Sequence, residues 1–187
     1  HNMQNLAGAI EVLKALGIGE RDILESLSTF EGAANRLQKV SDSRDLKVFR
    51  DFAHSPSKLK ATNLAVREMF PGRKLINCFE LHTFSSLNRN FLVNYRDTLK
   101  EGDLNIVFIN DHTLKIKKME FLEDHVIRTG FNNPDLGILR SREALENELI
   151  DHASPGMVLL MMSSGNFGGL DDHSLVNRLQ NRIKKIK

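Results

Sequence analysis

Short apolar runs alternate with amphipathic stretches along most of the chain. Runs of about five apolar residues, typical of strands that are buried on both faces, occupy residues 46–51, 73–79, 105–109, 137–139 and 157–162. Apolar residues recur at helical spacing in the segments 57–69, 88–99, 118–129, 142–153 and 172–185. This order predicts an α/β fold, with a Rossmann-like, mostly parallel sheet and helices on both of its faces.

The first forty residues follow a different pattern. Helical spacing of apolar residues predicts two helices, at residues 3–17 and 20–29. Residues 31–45 are rich in Gly, Asn, Ser and Asp, which is typical of a linker. Because the helical pattern starts with no lead-in, we expect the chain to be the tail of a longer protein. Residues 1–40 would then be a helical pair from a preceding domain, and residues 41–187 would form the α/β domain.

Composition changes this picture little. The chain is 41% hydrophobic and 27% charged with a net charge of +2, which gives no argument for binding nucleic acid or a membrane. Its single cysteine, Cys78, lies in an apolar run and is predicted to be a buried small hydrophobe. The sequence contains neither a signal-peptide pattern nor an apolar run long enough to span a bilayer, so the cytoplasm is the predicted location.

Three of the predicted strands are followed by polar loops. The first contains Asp51 and His54 and leads into a helix, for which Ser55 is a candidate cap and Pro56 fits the first turn. Free amides at such a helix start attract anions such as phosphate. The carboxyl ends of parallel strands are where open α/β sheets bind ligands. An Asp and a Pro at a strand–helix junction are also ordinary turn chemistry.

The other two loops cover residues 80–87 and 163–169 and are rich in hydroxyl groups. Parallel strands bring their loops to one edge of the sheet, where these side chains suit a polar, charged ligand. Each loop also has a plainer interpretation, because a lone His82 is commonly a surface histidine and Ser-Gly stretches are commonly turns. The sequence contains no G-x-x-x-x-G-K-[ST] phosphate loop and no G-x-G-x-x-G fingerprint.

Several ordered motifs resemble those of the Mur ligases, the ATP-dependent amide-forming enzymes of bacterial peptidoglycan assembly. The motifs are His1-Asn2-Met-Gln-Asn5, Phe30-Glu-Gly32 with Asn35-Arg36, and Asp51-Phe-Ala-His54-Ser-Pro56. Asn35-Arg36 stands where the family has a basic pair, and Ser55 stands where it has a second histidine. The resemblance covers essentially the whole chain and implies the last helices of a central ATPase domain followed by the C-terminal, peptide-binding domain.

The resemblance also implies a reaction and a set of roles. ATP with Mg²⁺ would phosphorylate the muramate carboxylate of UDP-N-acetylmuramate, and the amine of an amino acid or peptide would displace the phosphate. The phosphate loop and the metal ligands would lie in the preceding part of the protein. Arg36 is the implied catalytic residue, since a guanidinium stabilises charge during phosphoryl transfer. Asp51 is expected at the ribose hydroxyls and His54 at the nucleotide-facing edge.

The resemblance also implies contacts to the adenine of ATP and to the acceptor peptide. The adenine is expected near His1, Asn2 and Asn5. The candidate contacts of the acceptor peptide are His82, Thr83, Ser85, Ser163, Ser164, Asn166 and Phe167. Without the resemblance, Asn2 and Asn5 would be read as first-turn residues of a helix, and Arg36 with Asp51 as a surface ion pair. Phe167 is equally well explained by packing in the core.

The chain resembles two branches of the family. The stretch 161–169 resembles the Met-Ser-Asn-Gly-Gly-Phe-Gly-Gly segment of murein peptide ligases, which recycle peptidoglycan by joining UDP-N-acetylmuramate to L-alanyl-γ-D-glutamyl-meso-diaminopimelate. His82, where that branch has an arginine, is more similar to the UDP-N-acetylmuramate–L-alanine ligases. We favour the murein peptide ligases and keep the L-alanine ligases as the alternative.

Two non-enzymatic hypotheses remain open. A chain without the phosphate loop is predicted to have no ligase turnover by itself, so in isolation it would be a binding module. An unrelated doubly wound domain, such as a receiver-like or nucleotide-sugar-binding module, would leave the His-Asn-x-x-Asn start unexplained.

Overall fold

The computed structural model describes residues 2–29 and 35–186, and the chain divides into two compact units between residues 34 and 35. The first unit contains helices α1 (Asn2–Ala15) and α2 (Glu20–Ser28), which confirms the predicted helical pair. The domain boundary was expected at residue 40, and the observed division lies a few residues before it. The origin of the helical pair in a central ATPase domain stays a prediction.

The second unit is built on one six-stranded sheet, with the strand order β1-β2-β6-β3-β4-β5. In chain order the strands are β1 (Gln38–Asp42), β2 (Leu46–Asp51), β3 (Leu75–Glu80), β4 (Leu104–Phe108), β5 (Gly137–Leu139) and β6 (Met157–Met162). Strand β1 pairs antiparallel with β2 at one edge, and the remaining pairs are parallel. The predicted α/β fold with a mostly parallel sheet is confirmed.

Helices connect and cover these strands. They are α3 (Pro56–Met69), a 3₁₀ helix (Arg89–Tyr95), α4 (Asp111–Ile116), α5 (Asp124–Phe131), α6 (Arg142–Asp151) and α7 (Asp172–Ile186). Residues of α3, the 3₁₀ helix, α4 and α5 pack on one face of the sheet, and residues of α6 and α7 pack on the other. The predicted arrangement with helices on both faces is therefore confirmed.

The strands in the middle of the sheet are buried on both faces. All six side chains of β6 are fully buried and alternate between the two cores, with Val158, Leu160 and Met162 on one side. Cys78 of β3 is also fully buried, as predicted, and burial raises the pKa of its thiol above its usual range. No helix in the described ranges is long and apolar enough to cross a membrane.

The predicted linker is wrong at its centre, since residues 38–42 form strand β1. An edge strand buries only part of its surface, and β1 carries a single apolar residue, Val40, in an otherwise polar sequence. Such a strand lacks the apolar run by which central strands are identified. Its position is set by pairing with β2, a tertiary contact.

The predicted helices at 88–99 and 118–129 are also partly wrong. The first is a 3₁₀ helix that ends at Tyr95. The second is replaced by α4 and α5, of which α4 starts earlier because the side chain of Asn110 caps it by accepting from the His112 amide. Helix α5 ends at Phe131 and is followed by its C-cap Asn132, whose φ of 54° lies in the left-handed region. Helices this short contain too few turns for the spacing of their apolar residues to predict where they begin and end.

Candidate functional site

The carboxyl ends of β2, β6 and β3 lie side by side. Asp51 is aligned with Met162 of β6, and Met162 is aligned with Phe79 of β3. The loops that follow these strands are therefore neighbours, and the Ser163 amide donates to the Asp51 carbonyl at 3.0 Å. The prediction that the three polar loops meet at one edge of the sheet is confirmed.

Asp51 is a buried carboxylate, 8% exposed, at the end of β2. Its Oδ2 accepts from the Leu37 amide at 2.8 Å, and its Oδ1 accepts from the Ala53 amide at 2.7 Å and from Thr62 Oγ1 at 3.3 Å. Since a carboxylate offers about four lone-pair positions, about one is left for a ligand hydroxyl. Asp51 thereby holds the segment before β1 and the loop after β2 together.

Arg36 and His54 both contact the Phe52 ring. The guanidinium of Arg36 is exposed, and its Cζ lies 5.4 Å from the Phe52 ring centroid. The His54 ring packs edge-on at 5.1 Å, and its Nδ1 lies 2.8 Å from the Phe52 carbonyl. Because a carbonyl only accepts, Nδ1 carries the hydrogen and Nε2 stays available. The alternative prediction was an ion pair between Arg36 and Asp51, and none is found between them among the described residues.

The start of α3 differs from expectation in one detail. Ser55 occupies the N-cap position and Pro56 the first helical position, as predicted, but the Ser55 side chain makes no capping hydrogen bond. The extended backbone of Ser55 already turns the chain into the helix, and its carbonyl accepts from the Leu59 amide at 2.9 Å. The first amides of α3 are thus without a side-chain cap, at the end of the loop that contains His54.

Tyr95 supports this loop from the core. Its hydroxyl donates to the His54 carbonyl at 2.7 Å, and its fully buried ring packs against Phe79 and Phe131. Burial raises the pKa of Tyr95 above its usual range, because a phenolate would lose its hydration in this core. The backbone position of His54 therefore depends on a neutral tyrosine.

We expect the free energy of unfolding to fall as the pH rises above about 10, the usual pKa of tyrosine. Above that pH the unfolded chain releases the phenolic proton while the native chain retains it, so stability present at lower pH is lost. Tyr95 is the single tyrosine of the chain, so the ultraviolet absorbance of tyrosinate reports its ionisation alone. In Tyr95→Phe, this part of the pH dependence should be missing. Ionisation of folded wild-type protein near pH 10 would contradict the prediction.

The second group of polar residues surrounds Glu80, a site residue that the sequence analysis missed. Glu80 is 3% exposed at the end of β3, and its Oε2 accepts from Ser163 Oγ and, at 2.9 Å, from the Phe167 amide. Its Oε1 lies 3.5 Å from His82 Nδ1. Ser163 Oγ in turn accepts from the Gly165 amide at 2.6 Å. One carboxylate thus contacts the loops after both β3 and β6.

The remaining predicted acceptor contacts differ in their burial and in their hydrogen-bond partners. The Thr83 and Ser85 hydroxyls lie 3.1 Å apart, and Thr83 Oγ1 also bonds Ser86, so both belong to the turn after β3. Asn166 is exposed, although its Oδ1 accepts from the Gly169 amide. Ser164 Oγ is buried and has no hydrogen-bond partner. His82 and Ser164 each have a buried atom without a hydrogen-bond partner, and the exposed side chains of Ser85 and Asn166 have hydrogen-bonding capacity left over.

Phe167 lies in the core, where its side chain is fully buried. Its ring packs 5.9 Å from Phe108 and lies 4.8 Å from Arg50 Cζ, and Arg50 holds both carboxylate oxygens of Asp172. This is the packing role that the sequence analysis considered equally plausible. The residue shapes the loop through its backbone, which donates to Glu80.

The predicted adenine contacts are only partly within the described structure. Asn5 is exposed on α1. His1, the side chain of Asn2 and the Phe30–Gly32 motif lie outside the described residues. Among the residues that the structure describes, no group of three or more His, Cys, Asp or Glu side chains is placed to hold a metal ion.

Residues 35–165 match the family model of the Mur ligase, glutamate ligase domain. Among curated proteins, the UDP-N-acetylmuramate–L-alanine ligase of Wolbachia sp. subsp. Brugia malayi is 29% identical over 170 residues, covering 88% of this chain and 31% of that protein. The enzyme of the same name from Cutibacterium acnes is 30% identical over 171 residues, covering 89% and 36%. The chain spans about a third of the length of these relatives.

Two solved structures share the fold. A murein peptide ligase from Psychrobacter arcticus superposes with a TM-score of 0.68 at 23% identity, covering 97% of this chain and 37% of that one. A UDP-N-acetylmuramate–alanine ligase from Thermotoga maritima gives a TM-score of 0.71 at 20% identity, covering 100% and 38%.

Proposed function

The chain belongs to the Mur ligase family, and from that premise we propose that it is the C-terminal part of an ATP-dependent ligase. The enzyme would join an amine to the carboxylate of UDP-N-acetylmuramate, in the cytoplasm. The observation that carries the proposal is the meeting, at one sheet edge, of a loop suited to phosphate and a loop suited to an amino acid or peptide. Ser163, directly after β6, joins the two loops, since its amide donates to the Asp51 carbonyl and its hydroxyl donates to the Glu80 side chain.

The nucleotide side of the proposed site is the Asp51 loop. Arg36 offers an exposed guanidinium held against Phe52, a group well suited to phosphate oxygens. The uncapped amides of α3 favour negative charge at the same place. Asp51 has about one acceptor position left for a ribose hydroxyl. These features fit a bound nucleotide, and we assign Arg36 the stabilisation of its phosphate charge.

ATP would supply the phosphoryl group that activates the muramate carboxylate. The contribution of this chain is to bind and orient, holding the acceptor amine where it meets the activated carboxyl carbon. We assign that task to His82, Ser164 and Asn166, while Ser163 holds their loop in place through Glu80 and Gly165. Mg²⁺ would accompany the ATP, and we assign its ligands to the central ATPase domain that the family resemblance implies.

For the acceptor we propose the tripeptide L-alanyl-γ-D-glutamyl-meso-diaminopimelate, because residues 161–169 resemble the corresponding segment of murein peptide ligases. The second candidate is L-alanine. It is favoured by His82 and by the names of the curated relatives, which are UDP-N-acetylmuramate–L-alanine ligases.

We expect phosphate release by the full-length parent protein, with ATP, Mg²⁺ and UDP-N-acetylmuramate, to be at least about tenfold faster with the tripeptide than with L-alanine. A site built to bind several polar groups of a long acceptor binds a short one poorly. Reactions lacking UDP-N-acetylmuramate are the control, and the 187-residue chain alone should release no phosphate above background. Faster release with L-alanine would reverse the order of the two candidates, and no release with either would reject the ligase proposal.

A further inference from the structure

Glu80 is the most deeply buried carboxylate among the described residues, at 3% exposure. A buried charge is stable in a protein only where hydrogen bonds or an opposite charge replace its hydration. In the described ion pairs its one partner is a histidine, His82, which is charged only when protonated. The position of Glu80 therefore needs an explanation beyond a simple salt bridge.

The two oxygens of Glu80 serve different loops. Oε2 holds the loop after β6 by accepting from Ser163 Oγ and from the Phe167 amide. Oε1 faces the loop after β3, where His82 Nδ1 lies 3.5 Å away. That separation is just longer than a hydrogen bond between an N–H and a carboxylate. A small rotation of the imidazole toward Glu80 would close it.

Unused hydrogen-bonding capacity is concentrated where the two loops meet. His82 Nδ1 and Ser164 Oγ are buried atoms that lack a hydrogen-bond partner. The backbone of Gly165 packs against the same groups, so closely that a Cβ there would lie 2.7 Å from both Glu80 Oε2 and His82 Nδ1. Buried polar groups are normally paired. Glu80 Oε1 can pair with His82 Nδ1, whereas the free Ser164 hydroxyl indicates a site that a bound molecule completes.

We propose that Glu80 is a positioning residue of the acceptor site. Its Oε1 sets the hydrogen of the His82 ring on Nδ1, so that Nε2 of the neutral ring offers a lone pair to an N–H of the incoming amine or peptide. Its Oε2 holds the neighbouring loop so that Ser164 Oγ faces the same acceptor. The identity of this ligand rests on the proposed function, whereas the tautomer of His82 does not.

The tautomer is tested by nuclear magnetic resonance of the full-length protein labelled with ¹⁵N at histidine, with His82→Ala assigning the signal. We expect the hydrogen on Nδ1 in the wild type and on Nε2 in Glu80→Gln. The glutamine carbonyl can still accept from Ser163 and Phe167, but its N–H₂ group then faces Nδ1, which must become an acceptor. Ser163→Ala, which leaves Oε1 untouched, should keep the hydrogen on Nδ1. The same tautomer in wild type and Glu80→Gln would overturn the proposal.

Kinetics of the full-length enzyme give the second test. Glu80→Gln should raise the acceptor KM about tenfold, the effect of roughly one hydrogen bond, with unchanged KM for ATP and UDP-N-acetylmuramate. Gly165→Ala, which keeps the Glu80 carboxylate but places a methyl group against it and His82, should raise the same KM. An unchanged acceptor KM in both variants of an active ligase would overturn the proposal. Absence of ligase activity in the wild type would instead reject the proposed function and leave the tautomer test standing.

Discussion

Replacing Asn77 with aspartate will lower the free energy of unfolding by about 3–5 kcal/mol at neutral pH, the cost of leaving a buried charge unpaired. Asn77 is fully buried in the middle of β3, and its Oδ1 accepts from Asn63 Nδ2 at 2.9 Å. Its Nδ2 donates to Asn105 Oδ1 at 2.9 Å and to the Leu99 carbonyl at 3.4 Å. An aspartate keeps the shape but points a negative oxygen at two acceptors.

Urea unfolding at two pH values measures this effect. The new carboxyl should have a raised pKa in the folded chain, so the native state binds its proton more tightly than the unfolded state does. The loss of stability will therefore be present at neutral pH and will shrink as the pH falls toward about 4, where a protonated carboxyl donates again. Asn90→Asp, at an exposed position, should change stability by less than about 0.5 kcal/mol. An equal loss in the two variants would contradict this account.

The parallel sheet was predictable because its strands are buried on both faces. Each such strand appears in the sequence as a short apolar run, and each covering helix appears as apolar residues at helical spacing. Strand β1 was not predictable in this way, because its position comes from pairing with β2 at the sheet edge. Helices α4 and α5 were misplaced because an asparagine cap sets the start of one and a left-handed asparagine ends the other.

The candidate site shows a similar division. Asp51, His54, His82 and Ser163 were identified because polar residues after an apolar strand lie at the carboxyl edge of a parallel sheet. Glu80 was missed because its role depends on the strand order, which places β6 between β2 and β3. Only that order brings Ser163 to Glu80 across a sequence separation of 83 residues. Local patterns predict elements and loops, whereas contacts between distant segments come from topology.

Replacing Phe167 with alanine will lower the free energy of unfolding by about 3–5 kcal/mol, as is typical when a fully buried phenylalanine is truncated. The ring is 0% exposed and packs against Phe108 of β4 and Arg50 of β2, so its loss leaves a cavity beside both strands. Phe84→Ala is the matched control, because that ring is 62% exposed and should cost little. Denaturant unfolding of the two variants measures the difference.

A third variant separates the ring from the backbone at the same position. Phe167 has a φ of 51°, a left-handed conformation that costs about 1 kcal/mol or more in any residue with a Cβ. Phe167→Gly loses the same ring but relieves this strain, so it should be more stable than Phe167→Ala by about 1 kcal/mol, the reverse of their order in a helix or strand. Alanine being the more stable of the two would show that the backbone there is unstrained. The expected order would show that the backbone at Phe167 is strained. The buried ring and the amide bond to Glu80 are the contacts that act against this strain, which links core packing to the geometry of the acceptor loop.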